Sequence, residues 1–101
     1  CMHLNDGVCK GRRVLSEESI TEMRTVQSPL KTARTYGLGW SLDRVNESGR
    51  AHRMSHGGAM GAYLVVDRKR ELVGAFLVCQ TAKQVAELKN KLLENLKLMF
   101  P

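Results

Sequence analysis

Apolar and polar positions change period along this chain, and the changes mark its elements. Ser16-Glu17-Glu18-Ser19-Ile20 reads as a helix start: Ser16 can cap free backbone N–H groups, and the two glutamates favour the positive end of the helix dipole. Leu15 can staple onto Ile20, and Ile20, Met23 and Val26 form one apolar stripe that Ser28-Pro29 ends. Leu38, Trp40 and Leu42 then alternate with Gly39, Ser41 and Asp43, the two-residue period of a strand over 37–45. Turn residues Asn46-Glu47-Ser48-Gly49 lead into strands over 51–56 and 62–66. Asp67-Arg68-Lys69-Arg70-Glu71 is a hairpin tip before a strand over 72–79, apolar on both faces and so expected in the middle of a sheet. Thr81 and Gln84 form a capping box opening a helix with Val85, Leu88, Leu92, Leu96 and Met99 on one side. The expected class is α+β: an antiparallel sheet of three to four strands with an N-terminal and a C-terminal helix packed on it.

At 101 residues the expectation is one domain, burying roughly 60–65% of its unfolded surface. No apolar run is long enough to span a membrane, and the first residues lack the order of a signal peptide. Met2 to Gly7 reads as the tail of a helix running into a glycine stop. Cysteines 1, 9 and 79 cannot all pair within one chain and lack zinc spacing, so reduced thiols and a cytoplasmic setting are expected. The net charge of +6 raises the possibility of a nucleic-acid or acidic protein partner. Yet the basic residues are dispersed, and Lys83, Lys89, Lys91 and Lys97 interleave with Glu87 and Glu94, which reads as solvated surface. Nucleic acid is therefore not the expected partner.

Three short patterns could carry chemistry. Ser28-Pro29-Leu30-Lys31 matches S-x-x-K, in which an amine one helical turn from a serine helps to take its proton, but it sits in a connector after a helix. His52 and His56 have a helical metal spacing, which on a strand separates them by roughly 13 Å, too far for one ion. Gly57, Gly58 and Gly61 could cradle a phosphate only if a helix followed, and a strand follows instead. No metal and no cofactor are expected.

Order adds what the single patterns lack. Leu4-Asn5-Asp6-Gly7, Arg13-Val14-Leu15-Ser16, Met23, Tyr36-Gly37-Leu38-Gly39-Trp40 and then His56-Gly57-Gly58 together resemble the C-terminal part of the β-lactamase-related serine hydrolases, which include class C β-lactamases, carboxylesterases and D-Ala-D-Ala carboxypeptidases. The resemblance runs from Leu4 to about Gln80. It implies that His56 takes the first place of the K-T-G or H-x-G triplet, facing the catalytic serine, and that the Ala59 N–H is one oxyanion-hole donor. Gly57, Gly58 and Tyr36 would contact a small acyl substrate. Family members carry their S-x-x-K and a Tyr-centred motif far upstream, and no Y-x-N or S-x-N occurs here. The expectation is a C-terminal portion of a larger β-lactamase-like domain, inactive alone, partnered by the N-terminal portion of the same hydrolase or by a second copy through the edge at Leu72–Cys79.

Overall fold

The computed structural model describes residues 1–28 and 35–101. In chain order the elements are β1 (Val8–Cys9), β2 (Arg12–Arg13), α1 (Glu17–Met23), β3 (Ser41–Val45), β4 (Ala51–Gly57), β5 (Tyr63–Asp67), β6 (Leu72–Phe76) and α2 (Ala82–Met99). β3 to β6 form one antiparallel sheet in chain order, a meander, and β1 pairs with β2 in a small hairpin. The α+β class is as expected.

Local chemistry sets the element ends. Ser16 Oγ accepts from the Ser19 N–H at 3.1 Å and caps α1. The helix stops at Met23, earlier than the Ser28-Pro29 boundary, because the following residues bond to β4 and the turn before it: Ala51 N–H donates to the Arg24 carbonyl, and Val26 N–H to the Gly49 carbonyl. The strand expected over 37–45 shortens to Ser41–Val45, since Gly37 N–H closes a turn onto the Trp40 carbonyl at 2.9 Å. Residues 1–7 make a helical turn closed by Gly7 N–H on the Met2 carbonyl at 2.9 Å. The β1–β2 hairpin, two residues a strand, is too short to leave a two-residue period in the sequence.

The sheet has two differently covered faces. On one, Tyr63, Val65, Gly74 and Phe76 form a groove with Leu92, Leu93 and Leu96 of α2. On the other, Leu42, Ala51, Met54 and Val66 form the core, closed over by Leu4, Val26 and Trp40. Arg68 pins the N-terminal segment there, donating to the His3 carbonyl and pairing with Asp6 at 2.6 Å. His3 is 8% exposed and stands edge-on to Trp40, ring centroids 5.0 Å apart. Burial, assisted by the Arg68 charge, pushes its pKa down.

β6 departs from expectation in two ways. It ends at Phe76, with Leu77 77% exposed, and it is the outermost strand among the described residues. Its residues are apolar on both faces because α2 covers Leu72, Gly74 and Phe76, while Val73 on the opposite face is 48% exposed.

Candidate functional site

The candidate site is the rim where β4 turns into β5. Gly58 and Ala62 close the hairpin, Gly58 N–H donating to the Ala62 carbonyl at 2.8 Å. Inside it, Gly61 N–H donates back to the Gly58 carbonyl at 3.1 Å, making a turn with Ala59 and Met60 at its centre and Gly61 after it at φ +84°. α2 braces this loop from one side. Ala82 N–H donates to the Ala59 carbonyl at 3.1 Å, and Gln80 N–H to the Met60 carbonyl at 3.2 Å. Gln84 Oε1 accepts from the Thr81 N–H at 3.1 Å and fixes the start of the helix.

The pattern of satisfied groups is one-sided. Carbonyls of Gly58, Ala59, Met60 and Ala62 all accept backbone hydrogen bonds, whereas the Ala59 N–H has no acceptor among the described residues. In a trans peptide the N–H points opposite to the C=O. Because the Gly58 carbonyl is held into the turn by Gly61, the Ala59 N–H is directed out of it.

His56 is exposed and pairs across to Leu64, which pairs in turn with Ala75. By strand alternation it shares the face of Met54, opposite α2. Leu64, 43% exposed, makes an apolar floor beside it. Gly57 and Gly58 follow with unusual latitude: a Cβ on Gly57 would come no nearer than 3.5 Å to Tyr63 Cδ2, and one on Gly58 no nearer than 3.9 Å to Ala62. Nothing in the described chain requires glycine at either position. Gly61 differs, since its Cβ would lie 2.6 Å from the Gln80 carbonyl.

His56, Gly57, Gly58 and Ala59 thus stand together on one rim. Tyr36 stands apart. It bridges Ser41, which pairs with Ser55, placing it two strand spacings, roughly 10 Å, from the β4 backbone. Its N–H donates to Ser28 Oγ at 3.0 Å. Pro29, Leu30 and Lys31 of the S-x-x-K match lie outside the described residues. Among the described residues no group of three or more His, Cys, Asp or Glu could hold a metal ion, and no helix is long and apolar enough to cross a membrane. The three cysteines are unbonded to one another.

One residue near the rim escapes sequence reasoning. Lys89 of α2 lays its ammonium 4.6 Å from the Tyr63 ring centroid, in a small cleft with Gly57, Gly58, Ala82 and Val85. The available signal was its spacing from Val85 and Leu92, which puts a lysine on the inward side of the apolar stripe. Elsewhere the basic residues are partly neutralised, Arg70 by Asp67 at 2.7 Å, Lys91 by Glu87 at 2.8 Å and Lys97 by Glu94 at 2.6 Å. Burial opposes the charge on Asp67, but hydrogen bonds from Arg70 outweigh it and hold the carboxyl below its ordinary range.

The four-stranded meander with a helix across one face is shared with a β-lactamase-like fold. The chain is similar to a crystal structure described as a "putative beta-lactamase" from Bacteroides dorei DSM 17855, with a TM-score of 0.65 and 26% identity over 77% of this chain. It spans 28% of that protein's length. No family model matches the chain, and no curated protein does.

Proposed function

We propose that this chain is one wall of a serine-hydrolase active site acting on ester, amide or β-lactam carbonyls, and that it has no turnover alone. The observation that carries the reading is the unengaged Ala59 N–H beside two glycines that the fold does not demand. An outward backbone donor of fixed direction suits an oxygen that gains negative charge as a carbonyl is attacked, and is worth about 2.7–4 kcal/mol there. Glycines at 57 and 58 leave the backbone open to an acyl group. His56, on the same rim, would face the nucleophile and share its proton network. Acyl transfer of this kind needs no cofactor.

The nucleophile would come from elsewhere in a larger domain. β6 supports this, since its outer side has no strand partner among the described residues and Val73 and Leu77 are exposed beside it. An apolar strand edge is a template for another strand. The N-terminal portion of the same hydrolase would fill it, with a second copy of this chain as the competing occupant.

A chimera tests the reading. This chain replaces the matching segment of the Bacteroides protein, and hydrolysis of a p-nitrophenyl ester and a chromogenic β-lactam is measured. Hydrolysis that falls about 100-fold or more on Ala59→Pro, which deletes the N–H, is expected. Full activity in that variant would overturn the assignment. Ester hydrolysis by the isolated chain that vanishes on Ser28→Ala would move the nucleophile to Ser28.

A further inference from the structure

The N-terminal segment carries a charged motif that the rim does not use. Lys10-Gly11-Arg12-Arg13 makes the tip and the returning strand of the β1–β2 hairpin, whose ladder pairs only Val8 with Arg13 and Cys9 with Arg12. Lys10 and Gly11 have φ of +50° and +74°, two left-handed residues in succession, as in a type I′ turn. Glycine takes that backbone freely, whereas Lys10, with a Cβ, is strained in it. Lys10 to Val14 are all exposed, and no residue from Val8 to Leu15 is buried. A two-stranded hairpin with no buried face is marginal by itself. Beyond its ladder, the Val14 and Leu15 N–H groups hold it on the Gly7 carbonyl at 2.8 and 3.2 Å, and Arg13 Nη1 on the carbonyls of Asp6 and Leu15 at 3.0 and 2.9 Å. All of these bonds lie within residues 6–15, so they can break together without disturbing the sheet. Basic residues adjoin one another at one other place, Arg68-Lys69-Arg70, and there the fold protects them. Arg68 pairs with Asp6 and Arg70 with Asp67, their side chains 18% and 27% exposed, and the tip continues the ladder that joins β5 to β6.

We propose that the β1–β2 hairpin is a cleavage site for an endoprotease of paired-basic specificity, one whose subsites carry carboxylates for two successive cationic side chains, and that it is cut after Arg13. Water adds across the Arg13–Val14 peptide bond, leaving a carboxylate on Arg13 and an ammonium on Val14. A protease cleft takes its substrate extended, so the turn must open first; the short ladder and the strained Lys10 make that opening a local event. Residues 1–13 stay bound after the cut. Leu4 packs on the core, His3 stands against Trp40, and Arg68 holds the His3 carbonyl and the Asp6 carboxylate. None of these contacts involves residues 8–13, the part that opens. The product is a two-chain form in which the cover over Trp40 is held by noncovalent contacts alone. This proposal does not rest on the hydrolase reading.

The chain is treated with a subtilisin-type endoprotease that requires paired basic residues, beside a peptide of residues 6–18 that has the same bonds without the fold. Mass spectrometry is expected to show fragments 1–13 and 14–101 as the first products. Their rate should lie within about 1,000-fold of the peptide's, because cutting through a fast local opening tracks the open fraction. Arg12→Gln, which removes the pair and keeps Arg13, should slow the cut about tenfold or more in both chain and peptide. On gel filtration at neutral pH the two pieces should elute together. A slower rate than that limit would mean that the whole domain must unfold before the hairpin is cut, and would overturn the proposal, as would first cutting within Arg68–Arg70. Elution of fragment 14–101 without residues 1–13 would overturn their retention.

Discussion

Alanine at Gly57 and alanine at Gly61 should move stability in opposite directions, although the residues are four apart in one loop region. At Gly61 two costs add. The left-handed backbone at φ +84° costs a residue with a Cβ about 1–2 kcal/mol, and a contact of 2.6 Å with the Gln80 carbonyl forces a shift worth about 1–3 kcal/mol more. The total is about 2–5 kcal/mol. At about 4–8 °C per kcal/mol for a domain of this size, Gly61→Ala should lower Tm by roughly 8–40 °C. Gly57 is in strand β4 with its nearest neighbour at 3.5 Å, so an added methyl meets ordinary contact and restricts the unfolded chain. Gly57→Ala should leave stability unchanged or raise it by about 0.4–1 kcal/mol. Thermal and urea unfolding followed by circular dichroism separate the two. If Gly57→Ala destabilised the chain as much as Gly61→Ala, Gly57 would be a packing residue, and the argument that its openness serves a ligand would fail.

Two further outcomes follow from the core and its electrostatics. His3 has its pKa lowered in the folded chain, so the unfolded chain takes up the proton first: stability is full above about pH 6.5 and falls as pH drops through that value, by at most about 1.4 kcal/mol per pH unit. His3→Phe keeps a ring against Trp40 and should flatten urea-midpoint curves between pH 6.5 and 5; an unchanged slope would locate the acid sensitivity elsewhere. Met54 is fully buried between Leu42 and Val66, so Met54→Ala should cost about 2–5 kcal/mol by chemical denaturation, and a loss under 1 kcal/mol would mean that the core collapses around the cavity.

Where a local rule was enough, the sequence was readable. Ser16 caps α1, Gln84 closes the start of α2, and the hairpins at Asn46–Gly49 and Asp67–Glu71 turn where their polar residues stand. Boundaries failed where distant residues decided. Helix α1 ends at Met23 because Ala51 of β4 and Gly49 just before it capture Arg24 and Val26, contacts across about 25 residues that periodicity cannot register. Leu72–Cys79 reads as a central strand because both faces are apolar, but composition does not say whether the cover is another strand, a helix or nothing. Arg68 reads as solvated surface, yet Asp6 and the His3 carbonyl draw it inward from the far end of the chain. That His56 to Ala59 lie at a turn between two strands was legible from their order. The bracing of Ala59 by Ala82 was not, because a backbone N–H has no letter in the sequence.

The meander has a kinetic consequence. Each of its strands pairs only with its immediate neighbour in the chain, so every ladder from β3 to β6 closes a short loop and costs little chain entropy to start. The Arg68 tie to His3 and Asp6 spans more than 60 residues and gains nothing until β5 and β6 are already joined. The sheet should therefore assemble early and the first 28 residues dock late. The flank bearing Trp40 would remain wet until the end, a delay that tryptophan fluorescence would register as a phase slower than the growth of strand signal.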